Sequence, residues 1–205
     1  MTPTRYQIPA NEHEFEQDIK HSRFIATVVH APTLVDAKQA IATIAARYPD
    51  ANHNCWAFQI GLGPHAEIGS SDDGEPAGTA GRPMLQVLQG SGIGDIAAVV
   101  TRYFGGIKLG TGGLVRAYSG TLQKALNDLP TKEQVIRRTG MVTINYNQYE
   151  LLRRLLTSFD PLIESEDFAS DITLMLALPQ DRWQECADAI RELTYAESEL
   201  IALDD

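Results

Sequence analysis

The stretch that most restricts the fold is residues 96–113, where an unbroken apolar run gives way to a loop carrying five glycines. Ile96, Ala97, Ala98, Val99 and Val100 offer no polar face, so residues 95–104 are expected to form a strand covered on both sides, as in α/β-type architectures. The strand closes on Arg102. Gly105, Gly106, Gly110, Gly112 and Gly113 then punctuate the loop 105–113. Beyond it, Leu114, Ala117, Tyr118, Leu122, Ala125, Leu126 and Leu129 recur at the spacing of an amphipathic helix that Pro130 ends. Glycines permit backbone conformations that other residues resist and leave amide N–H groups uncovered. The helix start adds unpaired N–H groups and the positive end of its dipole, a combination suited to phosphate or carboxylate. Arg116 is expected in the first turn, where a cation opposes the dipole and implies an anionic partner.

Charge sharpens this reading. Residues 96–127 contain Arg102, Lys108, Arg116 and Lys124 and no acidic residue. The whole chain carries a net charge of −10, but residues 1–130 hold 10 Lys/Arg against 12 Asp/Glu, and residues 131–205 hold 7 against 15. Acidity is therefore concentrated in the C-terminal third. The overall charge argues against indiscriminate binding to phosphate backbones, whereas the local excess favours an anion at one place.

The remaining pattern completes two domains. Residues 23–30 read as a strand ended by Pro32. A helix capped by Thr33 and Asp36 follows, with Ala37, Ile41, Ile44, Ala45 and Tyr48 on one face and Pro49 as its stop. Residues 53–60 alternate as a half-buried strand, Trp56, Phe58 and Ile60 facing the core and His53, Cys55 and Gln59 the other way. Residues 61–83 show no sustained period and are expected to be a long functional loop, with Pro83 opening a short helix. Past Pro130 the expected order is strand 141–146, helix 148–159, strands 162–168 and 172–178, helix 182–194 and strand 199–203. This is the βαββαβ order of a ferredoxin-like domain. The fold class is α+β, with two α/β-type domains over residues 1–131 and 132–205.

No run approaches the roughly 20 apolar residues of a membrane span, and residues 1–10 carry no apolar signal core, so a cytoplasmic protein without a membrane partner is expected. The two cysteines, Cys55 and Cys186, lie in different elements and imply neither a disulfide framework nor a zinc site. The glycine loop lacks the Gly-Lys-Ser/Thr ending of a phosphate-binding P-loop and is not a dinucleotide fingerprint, so no nucleotide cofactor is expected, nor any other cofactor.

The candidate ligand set for an anion or nucleic acid is Lys20, Arg23, Arg102, Gly105, Gly106, Lys108, Gly110 and Arg116. Asp72, Asp73 and Glu75 form an acidic cluster upstream. They either latch onto Arg102, Lys108 and Arg116 from within or hold an ion, although the terminal glutamate of an EF-hand loop is missing. His53 and Cys55 share a strand face and caricature a cysteine nucleophile with its base. Packing is the simpler reading for a short thiol between aromatic residues.

Lys20-His21-Ser22-Arg23-Phe24, His53-Asn54-Cys55-Trp56, the run Ser71-Asp72-Asp73-Gly74-Glu75-Pro76-Ala77-Gly78-Thr79-Ala80-Gly81 and Arg102-Tyr103-Phe104-Gly105-Gly106 with Leu109-Gly110 occur in order across residues 18–125. In these motifs the chain resembles the IMPACT family in its bacterial YigZ-type form. The resemblance implies an N-terminal domain with the fold of a small-subunit ribosomal protein domain and of domain IV of elongation factor G, and a C-terminal domain like domain V of that factor. Eukaryotic relatives are tied to translational control through an activator of an initiation-factor kinase, a pathway absent from bacteria. What carries over is a role near RNA or the ribosome. The expectation is a non-enzymatic binding module that regulates translation. The alternatives are a metal-dependent hydrolase or phosphotransfer enzyme using Asp72, Asp73 and Glu75, and an adaptor between proteins.

Overall fold

The computed structural model describes residues 3–203. The chain divides into two compact units, one up to Gln134 and one from Val135 onward. Among the described residues no helix is long and apolar enough to cross a membrane.

The first unit is built on a five-stranded antiparallel sheet in the order β2-β3-β6-β4-β5, made of β2 (His13–Ile19), β3 (Ser22–His30), β4 (His53–Ile60), β5 (Glu67–Ser71) and β6 (Ile96–Tyr103). The central strand is β6, and Ile96 through Val100 are wholly buried on both faces. Helix α1 (Leu34–Arg47) covers one face over Ala97, Phe58 and Ala31. Helices α2 (Gly81–Ser91) and α3 (Thr111–Asn127) cover the other, enclosing Phe24, Cys55, Ala98, Val100, Met84, Tyr118 and Leu122. Each fully buried Leu, Ile or Phe contributes about 1.5–3 kcal/mol. The larger core therefore lies beneath α3, the helix that the glycine loop leads into. A two-stranded pair of β1 (Arg5–Pro9) and β7 (Thr131–Val135) flanks the sheet, so the partner of β1 lies at the end of this unit, across the 131/132 boundary expected from Pro130.

Four features depart from the sequence reading. Residues 61–83 are not one loop, because Glu67–Ser71 pair with Trp56–Ile60 as the edge strand β5 and α2 begins at Gly81. An edge strand of mostly small and polar residues has no period to betray it. Strand β4 is covered on both faces, since Cys55, Ala57 and Gln59 are buried beneath α2 and α3. Phe58 is buried, but Trp56 is only partly covered and stacks on it with ring centroids 5.9 Å apart. Helix α3 starts at Thr111 rather than Leu114, which places Arg116 in its second turn. The clash of Arg116 with the dipole expected from sequence is thereby reduced.

The second unit runs β8 (Arg137–Ile144), α4 (Tyr149–Leu156), β9 (Leu162–Phe168), β10 (Ile172–Pro179), α5 (Trp183–Leu193) and β11 (Ile201–Ala202), with sheet order β11-β8-β10-β9. This is the ferredoxin-like βαββαβ arrangement. Leu174, Leu176 and Leu178 meet Trp183, Cys186 and Ile190 of α5 and Leu152 and Leu156 of α4 in one core.

Candidate functional site

The register of the central strands builds the floor of the site. Antiparallel pairing sets Phe24 and His53 on either side of Arg102, one row across β3, β6 and β4. The row lies on the α2/α3 face at the end of the sheet where the glycine loop leaves it. Arg102 is 5 % exposed, and its guanidinium carbon sits 5.5 Å from the ring centres of both Phe24 and Phe104.

A buried guanidinium is tolerated only with a well-placed counter-charge, because removing either ion from water costs several kcal/mol. Glu75 supplies it from the turn before α2. Its Oε1 accepts from Arg102 Nη1 at 2.6 Å and from the Tyr118 hydroxyl at 2.8 Å, and His53 Nε2 lies 3.8 Å from the same oxygen. Burial, helped by Cys55 and Glu75 beside it, pushes the Tyr118 hydroxyl far above its ordinary range, so it stays a donor. The nucleophile reading of Cys55 does not survive its surroundings. Burial pushes the thiol up to about 12, and Sγ donates to the Asp72 carbonyl at 2.9 Å rather than to His53.

The other two acids face the backbone. Asp72 Oδ1 accepts from the amides of Ala80 and Gly81 at 2.9 and 2.8 Å, and Oδ2 accepts from Gly78 at 2.7 Å. Burial works against its charge, but the three amides outweigh burial and hold the carboxyl below its ordinary range. Asp73 Oδ2 accepts from the Asn54 amide at 2.6 Å, while the Asp73 carbonyl receives His53 Nδ1 at 2.8 Å. The latch expected between three acids and three cations is thus a single buried pair, Glu75 with Arg102. The same geometry removes the basis of a metal site on Asp72, Asp73 and Glu75. Each carboxylate is taken up by N–H or O–H donors of its own, and the described residues form no cluster of three or more metal-ligating side chains.

The glycine loop is pinned to the β2–β3 turn. A Cβ at Gly105 would lie 1.9 Å from the His21 carbonyl oxygen, so only glycine allows this approach, and the Gly105 amide donates to Ser22 Oγ at 3.2 Å. That contact brings the turn residue Lys20 close to α3. Gly110, at φ +74°, is the N-cap, and the helical ladder opens with Leu114 N donating to Gly110 O. The amides of Thr111, Gly112 and Gly113 precede that ladder, and no side chain caps them.

Two cavities flank Leu109. The larger, about 480 Å³, is lined by His53, Glu75, Arg102, Phe104 and Lys108 together with the start of α3. The smaller, about 200 Å³, is lined by Lys20, Gly113 and Arg116. Lys20, Lys108 and Arg116 are exposed and have no hydrogen-bond or ion-pair partner among the described residues. Arg23 lies elsewhere, held by Glu16 through two bonds of 2.7 and 2.6 Å. Gly106, at φ +87°, shapes the loop and lines neither cavity. Sequence reasoning assigned no ligand role to Phe104, Tyr118 or His53. Strand register brings His53 to Arg102, and the packing of α3 brings Tyr118 to Glu75, both long-range properties, whereas Phe104 follows Arg102 by two residues.

The Impact N-terminal domain family matches residues 20–126, and a domain of unknown function, DUF1949, matches residues 142–196. A relative in Haemophilus influenzae, named an IMPACT family member, is 44 % identical over 85 % of either chain. The Escherichia coli IMPACT family member YigZ is 39 % identical over 97 % of this chain and 98 % of its own. A crystal structure titled as that of a hypothetical protein superposes with a TM-score of 0.69 at 37 % identity, covering 100 % of this chain and 99 % of the other.

Proposed function

The chain belongs to the IMPACT family, and we propose that it is a non-enzymatic module that binds the phosphate backbone of single-stranded RNA, in keeping with a regulatory role at the translation apparatus. The observation that carries this reading is the set of three exposed cations around Leu109 that have no partner among the described residues. Lys108 stands on one side of it with the first amides of α3, and Lys20 and Arg116 stand on the other. Cations left without a counter-charge contribute little to the fold and are available to phosphate. Successive phosphates of a flexible strand can occupy the two cavities in turn, and the buried Glu75–Arg102 pair beneath them supplies rigidity rather than ligands.

The enzyme reading loses support because its three carboxylates are committed to internal donors. The test is a titration of a labelled single-stranded RNA with the full chain over a range of salt concentrations. Binding whose log affinity falls linearly with log salt, by about 0.7 for each phosphate neutralised, is expected. Absence of binding at low salt overturns the proposal and favours the protein-adaptor alternative.

A further inference from the structure

We infer that the larger cavity seats one nucleotide of the bound strand, with its base against Phe104 and its phosphate between Lys108 and the first amides of α3. The inference rests on the RNA-binding reading and names what one of its two cavities takes. A volume of about 480 Å³ is within the range of small-molecule pockets and is more than a phosphate group needs. Its walls are partly apolar, through Pro76, Leu109, Leu114 and Phe104, which an isolated phosphate would not use.

Phe104 is a cavity-lining ring that the core does not enclose. It is 46 % exposed although large and apolar. It is nonetheless held in place, because its amide donates to Asn52 Oδ1 at 2.7 Å and its ring lies 5.5 Å from the Arg102 guanidinium carbon. A fixed, exposed ring backed by a cation is a stacking platform, and base stacking on such a ring tolerates any sequence. One polar group completes the seat. His53 Nδ1 faces the Asp73 carbonyl, so in the neutral ring the proton sits on Nδ1 and Nε2, part of the cavity lining, is an acceptor. A ribose hydroxyl or a base N–H supplies the matching donor.

The test uses the full chain with a labelled ten-residue oligouridylate, competed by inorganic polyphosphate or by uridine monophosphate. Phe104→Ala is expected to weaken RNA binding roughly tenfold while leaving polyphosphate binding, the salt slope and the melting temperature unchanged. Phe104→Trp is expected to restore the affinity. If wild type binds RNA and Phe104→Ala binds it equally well, the base seat is wrong and the phosphate reading stands. If the variant loses RNA and polyphosphate together with melting temperature, the ring is structural and the seat is equally wrong. Uridine monophosphate binding as tightly as the strand would assign the cavity to a free nucleotide instead. No binding of either polymer by wild type removes both proposals at once.

Discussion

The acidic loop at residues 72–75 and the basic loop at residues 108–116 carry opposite charge, but only the first uses its charge to hold shape. Asp72 caps three amides at the entry to α2, Asp73 ties the turn to β4, and Glu75 neutralises the buried Arg102. In the basic loop, shape comes from Gly105 against His21 and from the left-handed Gly110, while Lys108 and Arg116 touch no partner among the described residues. Charge that stabilises is engaged by internal donors, whether buried at Glu75 or nearer the surface at Asp72 and Asp73, and charge that remains exposed beside open amides is available for a ligand.

The largest expected effect tests the acidic side. Glu75→Ala leaves Arg102 buried without its counter-charge and should cost the first unit about 3–5 kcal/mol, read from urea unfolding of the full chain. Cooperative unfolding at the wild-type midpoint would show that the pair is dispensable and break the contrast. Asp72→Asn comes next, at about 1.5–3 kcal/mol for hydrogen bonds to a charged acceptor. Its pH dependence has a fixed sign. The folded carboxyl titrates below its ordinary value of 3.8, so its contribution is complete above that pH and is lost as pH falls through the lower folded value. The gap between wild type and Asp72→Asn should therefore be widest near neutrality and close in acid, and a gap independent of pH would contradict the capping role.

Gly105→Ala places a methyl group against backbone and should cost about 1–3 kcal/mol by overpacking, measured as a lower melting temperature. A neutral result would mean that the loop is not pinned to the β2–β3 turn. The smallest expected effect is that of Lys108→Gln with Arg116→Gln, whose change in stability should stay within about 0.5 kcal/mol.

Much of this arrangement is legible in the sequence where the signal is local. The apolar run from Ile96 to Val100, the Thr33 cap and the helical faces of α1, α3 and α5 each announce themselves within a dozen residues. Glycine clustering and the absence of acids mark the basic loop equally well. Strand β5 escapes because Glu67–Ser71 is short and polar. The start of α3 escapes because glycines at positions 112 and 113 disfavour a helix that the site's geometry nevertheless imposes. The distribution of the acids escapes for a deeper reason. Which of three neighbouring carboxylates meets Arg102 depends on the turn that aims them, and that turn is set by the amides of Gly78, Ala80 and Gly81 and by the register of β4 on β6.

Whether the exposed cations of the basic loop bind phosphate rather than hold the fold is decided by measuring single-stranded RNA affinity across salt concentrations for wild type and for Lys108→Gln with Arg116→Gln, with thermal unfolding of the same samples. The double variant is expected to lose affinity, to flatten the slope of log affinity against log salt by about 1.4, twice the single-strand value per phosphate, and to keep the wild-type melting temperature. A lower melting temperature with RNA affinity and slope equal to wild type would contradict that expectation, because the two cations would then be serving the fold.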